Sequence, residues 1–302
     1  MELLPVTAAS NEAALLALQE AYPFVQAQVI GSSTLGKPIW SITVGNGPRK
    51  VLFTAAHHAN EWLTALILQR FARELAQAIA QDTELSGVSA RALSEAVTVH
   101  MVPLVNPDGA DLLNGALSDG QVEAARKLAE QYPAIPFPDG WKADIAGVDL
   151  NLQYPAGWLQ ARQIKFSQGF TRPGPRDYVG RAPLTQPEAA ALAAYTVEVD
   201  PALVLAFHSQ GQVIYWQFDG IEVPGARELG EALAAASGYL LDDTPYESSF
   251  AGYKDWFIKY FRRPGYTVEV GLGENPLPLE QFPRIYAENL GLLITAALGT
   301  EA

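Results

Sequence analysis

Two histidines and two glutamates stand where they could run hydrolytic chemistry. His58 and Glu61 lie three residues apart in Ala56-His57-His58-Ala59-Asn60-Glu61-Trp62, which reads as a strand-to-helix junction. At that spacing both side chains reach one point, and a neutral imidazole nitrogen with a carboxylate oxygen suits Zn²⁺. A third ligand is needed, and His208, at the end of another strand-like run, is the natural candidate. Two histidines and one glutamate, with water at a fourth position, make a catalytic zinc set. The same pair also admits a structural reading, a histidine capping a helix and a glutamate stabilised by the helix's positive end. In Tyr266-Thr267-Val268-Glu269-Val270, Thr267 and Glu269 share one strand face. Buried near the metal, Glu269 would be a general base with its pKa set by burial and charge. On a half-exposed edge strand it would simply face water.

These residues need a frame. Apolar runs at 39–44, 51–55, 97–105, 203–207, 213–216 and 266–270 read as strands, several apolar almost throughout, as strands buried on both faces are. Helical spacing fills the intervals. Residues 60–80 carry Leu63, Leu66, Ile67, Phe71 and Leu75, and Thr185-Gln186-Pro187-Glu188 has the pattern of a capping box opening a helix to about residue 197. A helix over 228–236 ends near Gly238, and one over 281–297 closes the chain. Alternating strands and helices predict a single α/β domain over residues 1–302, its sheet covered on both faces. In such folds ligands sit past the carboxyl ends of strands, which is where His58, His208 and Asn106-Pro107-Asp108-Gly109 fall. The stretches 133–140 and 171–180, rich in proline and glycine, read as loops.

Composition narrows the function. The chain has 302 residues, 49% hydrophobic and 18% charged, a globular balance. Its net charge of −13 argues against nucleic acid and anionic membrane as partners. There is no cysteine, so disulfides, thiolate metal sites and cysteine nucleophiles are excluded. No uncharged apolar run is long enough to span a bilayer, and the opening residues lack the pattern of a signal peptide, so the cytoplasm is the expected location.

Four pieces, in order, resemble the zinc carboxypeptidase (M14) family: His58-Ala-Asn-Glu61-Trp, Asn106-Pro-Asp-Gly109, Gly147-Val-Asp-Leu-Asn151, and His208-Ser followed by Thr267-Val-Glu269. Gly31-Ser-Ser-Thr-Leu-Gly36-Lys-Pro-Ile resembles the family's entry turn. The resemblance implies a mixed, mostly parallel twisted sheet. It implies one Zn²⁺ per chain held by His58, Glu61 and His208, with Glu269 as general base and proton shuttle. Asp149 falls where the family has a carboxylate orienting the first histidine, a bond that fixes the tautomer; otherwise it caps a turn.

Two departures bear on specificity. The family's exopeptidases read Asn-Arg where this chain has Asn151-Leu152, and a leucine cannot grip a terminal carboxylate. The family's oxyanion arginine after a tryptophan is here Lys142 after Trp141, a point charge without the planar fork, or else a solvated lysine. Trp141-Lys-Ala and the run from Gly147 to Trp158 resemble the bacterial γ-D-glutamyl-meso-diaminopimelate peptidase branch, which cuts murein stem peptides. Asn151 would still bind substrate. Arg176, with Arg172 second, is the candidate for a substrate carboxylate, set against surface arginines of an acidic chain. Tyr246 lies near the family's mobile tyrosine, although matching on Asp255-Trp256 puts that place at Glu247. His57 and His100 read as structural, and Trp62, Trp158 and Trp256 as core or cleft wall. The expected reaction is hydrolysis of the γ-D-glutamyl-meso-diaminopimelate amide. The alternatives are a zinc carboxypeptidase or amidohydrolase for other substrates, and a non-catalytic binding protein on the same fold.

Overall fold

The computed structural model describes residues 4–299. In chain order the elements are α1 (Ala8–Ala21), β1 (Gln26–Ser32), β2 (Pro38–Val44), β3 (Arg49–Ala55), α2 (Leu63–Gln81), the short hairpin β4 (Glu84–Leu85) and β5 (Val88–Ser89), α3 (Ala90–Ala96) and β6 (Val97–Val102). Then come α4 (Pro107–Leu113), α5 (Asp119–Ala129), α6 (Trp158–Ser167), α7 (Pro187–Val199), β7 (Leu203–His208), β8 (Val213–Tyr215), α8 (Ala226–Ser237), β9 (Leu240–Asp242), α9 (Tyr253–Phe261), β10 (Gly265–Glu269) and α10 (Phe282–Leu298).

Eight strands form one sheet in the order β1-β2-β6-β3-β7-β10-β8-β9. The four central strands, β6, β3, β7 and β10, run parallel, and antiparallel pairs flank them. Alternation along each central strand divides the core in two. Val51, Phe53, Leu205 and Phe207 pack on one face with α2 and α10, while Leu52, Val204 and Ala206 pack on the other with α7 and α9. This is the expected single α/β domain with a mostly parallel sheet covered on both sides. Among the described residues no helix is long and apolar enough to cross a membrane.

The structure departs from the expected elements in places. The strand expected to run to 105 ends at Val102. Gly238 is the left-handed cap of α8 as expected (φ 77°), but the box at Thr185 does not form. The cap of α7 is Gln186 without a side-chain bond. Glu188 instead accepts the Thr34 N–H at 2.7 Å, bracing the turn between β1 and β2. Thr185 is taken by Gln153, which is fully buried. Gln153 Oε1 accepts from Thr185 N, Thr185 Oγ1 and Gln186 N, and its Nε2 donates to the carbonyls of Val179 and Ala182. One side chain thus bonds four residues of the connection between α6 and α7. Gln153→Leu would remove all five bonds, but Thr185 is exposed, Gln186 is half-buried and the Val179 carbonyl keeps the Trp158 indole, so urea unfolding should show a loss of about 1–2 kcal/mol with an unchanged m-value. A loss below about 0.5 kcal/mol, the level of a neutral surface change, would mean water replaces the amide.

Candidate active site

Three adjacent parallel strands deliver the site. β3 ends at Ala55, and Ala56 turns the chain with left-handed backbone (φ 52°). His58 then leads into a short 3-10 turn, Ala59–Glu61, that runs into α2. Thr64 Oγ1 accepts the Ala56 N–H at 2.9 Å and donates to the Glu61 carbonyl at 2.7 Å, closing this corner. His208 is the last residue of β7, and Glu269, the last of β10, stands opposite it in the ladder.

The donors converge. His58 Nδ1 lies 2.8 Å from Glu61 Oε1 and 3.0 Å from His208 Nδ1, which is 2.9 Å from Glu61 Oε2. Among the described residues, His58, Glu61 and His208 are the one group of three or more metal-ligating side chains placed to share an ion. All three are buried. On the far side of the ring, His58 Nε2–H donates to Asp149 Oδ1 at 3.2 Å. That bond commits the proton to Nε2 and leaves the Nδ1 lone pair facing the cluster. Two imidazole nitrogens and a carboxylate turned on one point are complementary to a cation, and this N,N,O set is one that zinc accepts. The site residues fit the metal.

Electrostatics support that polarity. Burial alone would raise the Glu61 carboxyl, but the facing rings of His58 and His208 outweigh it and hold it well below the carboxylate range. Burial likewise opposes the Asp149 charge, and His58 and Lys142 overcome it. Glu269 goes the other way: half-buried on the cleft wall, it is raised to about 7, chiefly by desolvation, with His208 pulling down and Glu61 pushing up. For Lys142, burial disfavours the ammonium, yet Asp149, Asp177 and Glu61 keep its pKa above the ordinary lysine value.

The cleft encloses about 1080 Å³ and collects His58, Glu61, Lys142, Asp149, Asn151, Arg176 and Glu269. Lys142 Nζ stands 4.0 Å from Asp149 Oδ2. The backbone around it forms a seam: the Lys142 carbonyl accepts from Ala59 N, and the Pro175 carbonyl accepts from Lys142 N and Ala143 N. Farther along, Asp149 N donates to the Tyr178 carbonyl. Asn151 Oδ1 accepts the Tyr253 N–H at 2.9 Å. Leu152 is buried against Ala161, Val179 and Ala251. Arg176 uses Nε on Asp177 Oδ2 at 2.7 Å. Arg172 instead turns to Gln131 and is outside the cleft lining. Tyr246 is 70% exposed and packs edge-on against Phe250, while its neighbours Pro245 and Glu247 line the cleft.

His57 stacks on His208 at 5.5 Å and faces Tyr154 with Nε2. Burial, then the charge of His208, keeps it neutral. His100 bonds Tyr195 and Thr43 away from the site, its pKa lowered to about 4 by burial. Trp62 and Trp256 are core, and Trp158 packs beside Leu152.

Several lining residues carry no role in the sequence reading: Tyr215, Lys165, Asp177, Lys254, Asp255 and Asn275. Tyr215 pairs with Thr267 across β8 and β10, on the face that bears Glu269. The adjacent opposite charges in Tyr253-Lys254-Asp255-Trp256-Phe257 are a sequence signal, since their neighbours are apolar.

The family model described as zinc carboxypeptidase matches residues 12–291. The γ-D-glutamyl-L-diamino acid endopeptidase 1 of Lysinibacillus sphaericus is 44% identical over 277 residues, covering 92% of this chain and 68% of that protein. Carboxypeptidase A of Helicoverpa armigera superposes with a TM-score of 0.72 at 17% identity, over 98% of this chain and 75% of that one. The murein-tripeptide amidase of Escherichia coli O157 superposes at 0.58 and 21% identity, over 89% and 91% of the two chains.

Proposed function

Since the chain belongs to the zinc carboxypeptidase (M14) family and is a metallopeptidase, we propose that it hydrolyses the γ-D-glutamyl–meso-diaminopimelate amide of murein stem peptides. The observation that carries the substrate is the 44% identity, over 92% of this chain, to a protein named for the γ-D-glutamyl-diamino acid bond. The absence of a guanidinium at Leu152 is consistent with it.

His58, Glu61 and His208 would hold one zinc ion, which when bound supplies a Lewis acid for the scissile carbonyl and an acidified water. Glu269, raised toward neutrality, accepts the proton of the attacking water and returns it to the leaving amine. Lys142 places positive charge where the carbonyl oxygen becomes anionic. Asp149 holds the His58 ring and its tautomer. Arg176, engaged with the protein through Nε, keeps its terminal nitrogens for a substrate carboxylate. Asn151 supplies an amide to bound peptide, and Tyr246 stands at the rim to close over it.

Asp149→Asn should weaken zinc about 10–100-fold in a chelator competition; unchanged affinity would remove Asp149 from the site. The acid limb of kcat/KM should follow Glu269. The base form is lost as pH falls through its pKa, and a neighbouring divalent cation draws that value below about 7. Activity should therefore fall on the acid side of neutrality, and a limb that persists in Glu269→Gln would belong to another group.

The direct test is product release. Zinc-loaded protein is incubated with L-Ala-γ-D-Glu-meso-diaminopimelate and, in parallel, with an α-linked tripeptide. Diaminopimelate release with the α-linked peptide intact supports the proposal. Cleavage of the α-linked peptide alone overturns it in favour of a conventional carboxypeptidase.

A further inference from the structure

Asp144 is fully buried and lies in the segment between Lys142 and Asp149, the two residues that this part of the chain gives to the site. It holds Val148 twice. Its N–H donates to the Val148 carbonyl and its Oδ1 accepts the Val148 N–H, both at 2.8 Å. Trp141 Nε1 and the Gly147 N–H donate to the Asp144 carbonyl, each at 3.1 Å. Val148 is the residue before Asp149, whose carboxylate takes the His58 ring proton. At the other end the Lys142 carbonyl accepts the Ala59 N–H of the His58 turn. The double clamp therefore sets the stretch that braces the first metal ligand.

The second oxygen of the same carboxyl, Oδ2, is buried without a hydrogen-bond partner. The charges that bear on it have the wrong sign for an anion. They are Glu188, in the first turn of α7, and Asp108, in the first turn of α4, both fully buried. Those two have what a carboxylate needs. Glu188 accepts the Thr34 N–H at 2.7 Å and its hydroxyl at 3.4 Å, and Asp108 accepts the Leu35 N–H at 2.8 Å. The ammonium of Lys37 is 3.4 Å from Asp108 and 2.7 Å from Asp111. Among the described residues no cation pairs with Asp144. A buried carboxyl in that position keeps its proton rather than meet the cost of an uncompensated charge. Burial first, then Glu188, raises Asp144 well above the ordinary aspartate value, and the amides of Val148 and Ala146 oppose the rise without cancelling it.

We propose that Asp144 is a positioning residue that works as the neutral acid: protonated, it clamps Val148 and so holds Asp149 and Lys142 at the metal site, and its ionisation loosens that clamp. Ionised, it adds a charge beside Glu188 and Asp108 in a dry interior, and the segment 142–149 gives way to relieve it.

Asp144→Asn on the zinc-loaded full chain is the test, since the amide keeps an acceptor for the Val148 N–H and cannot ionise. The sign follows from linkage. Unfolded, the acid loses its proton near pH 4; folded, it keeps the proton to a higher pH, so wild type loses stability as pH rises between the two values. In urea the unfolding constant of wild type relative to Asp144→Asn should rise about tenfold per pH unit above about pH 4. The ratio levels off where Asp144 ionises in the fold. Wild-type kcat/KM should fall above that same pH, a limb absent from Asp144→Asn, while the acid limb of Glu269 stays in both. Parallel stability profiles overturn the proposal, and a levelling-off without the matching limb overturns the positioning role. Wild type carrying aspartate labelled with ¹³C in the side-chain carboxyl should also show the infrared carbonyl band of a protonated acid at about pH 6, two units above the ordinary aspartate value. Absence of that band overturns the proposal even if Asp144→Asn does not fold. The urea and infrared measurements need no substrate, so a failure of the γ-glutamyl reading is seen separately.

Discussion

Glu269→Gln is expected to lower kcat by about 10²–10⁴-fold while one zinc per chain is retained. The amide has nearly the same shape, so the end of β10 and its register with His208 stay in place. What disappears is the ability to take a proton at neutral pH. Glu269 is suited to that task because its site is dry enough to raise it to about 7, with His208 pulling the other way. Metal analysis beside steady-state kinetics on the same preparation separates the two effects. Turnover within a few-fold of wild type would remove Glu269 from the proton path.

His58→Ala should have the other large effect, a loss of zinc affinity on the order of 10³-fold or more, beyond the 10–100-fold of a residue that only orients a ligand. It removes one of three converging donors and takes from Asp149 the ring proton it accepts. His57 is the internal control. It is next in sequence and equally buried, but it stacks on His208 and bonds Tyr154. His57→Gln should therefore keep stoichiometric zinc. If zinc is retained in His58→Ala and lost in His57→Gln, the ligand assignment is reversed.

Much of this arrangement is legible in the sequence for a physical reason. Strands buried on both faces must be apolar nearly throughout, so 51–55, 203–207 and 266–270 announce themselves, and polar residues just past them stand out. Thr185-Gln186-Pro187-Glu188 misleads because a capping box is a local pattern and the winning partners are distant. Gln153, 32 residues away from Thr185, takes its N–H and hydroxyl, and Thr34 takes Glu188. β1 escapes notice because an edge strand, largely exposed, needs no apolar run. Arg172 and Arg176 look alike in one loop, and only the fold turns one to Gln131 and the other into the cleft. Lys254 and Asp255 carry a local signal, opposite charges set among apolar neighbours, but the burial of the pair shows only in the fold.

The seam through Lys142 makes the two rims of the cleft unequal for redesign. The loop carrying Arg176 is stitched by Pro175 and Tyr178 to the segment that supports the His58 turn. Grafting a foreign sequence there would disturb the turn that carries His58 and Glu61. The opposite rim is bonded mainly within itself, Ser248 and Ser249 to Pro245, with Gln168–Glu247 reaching across. Segment 244–249 is thus the modular part of the molecule, where new substrate preferences can be installed and the hydrolytic centre left untouched.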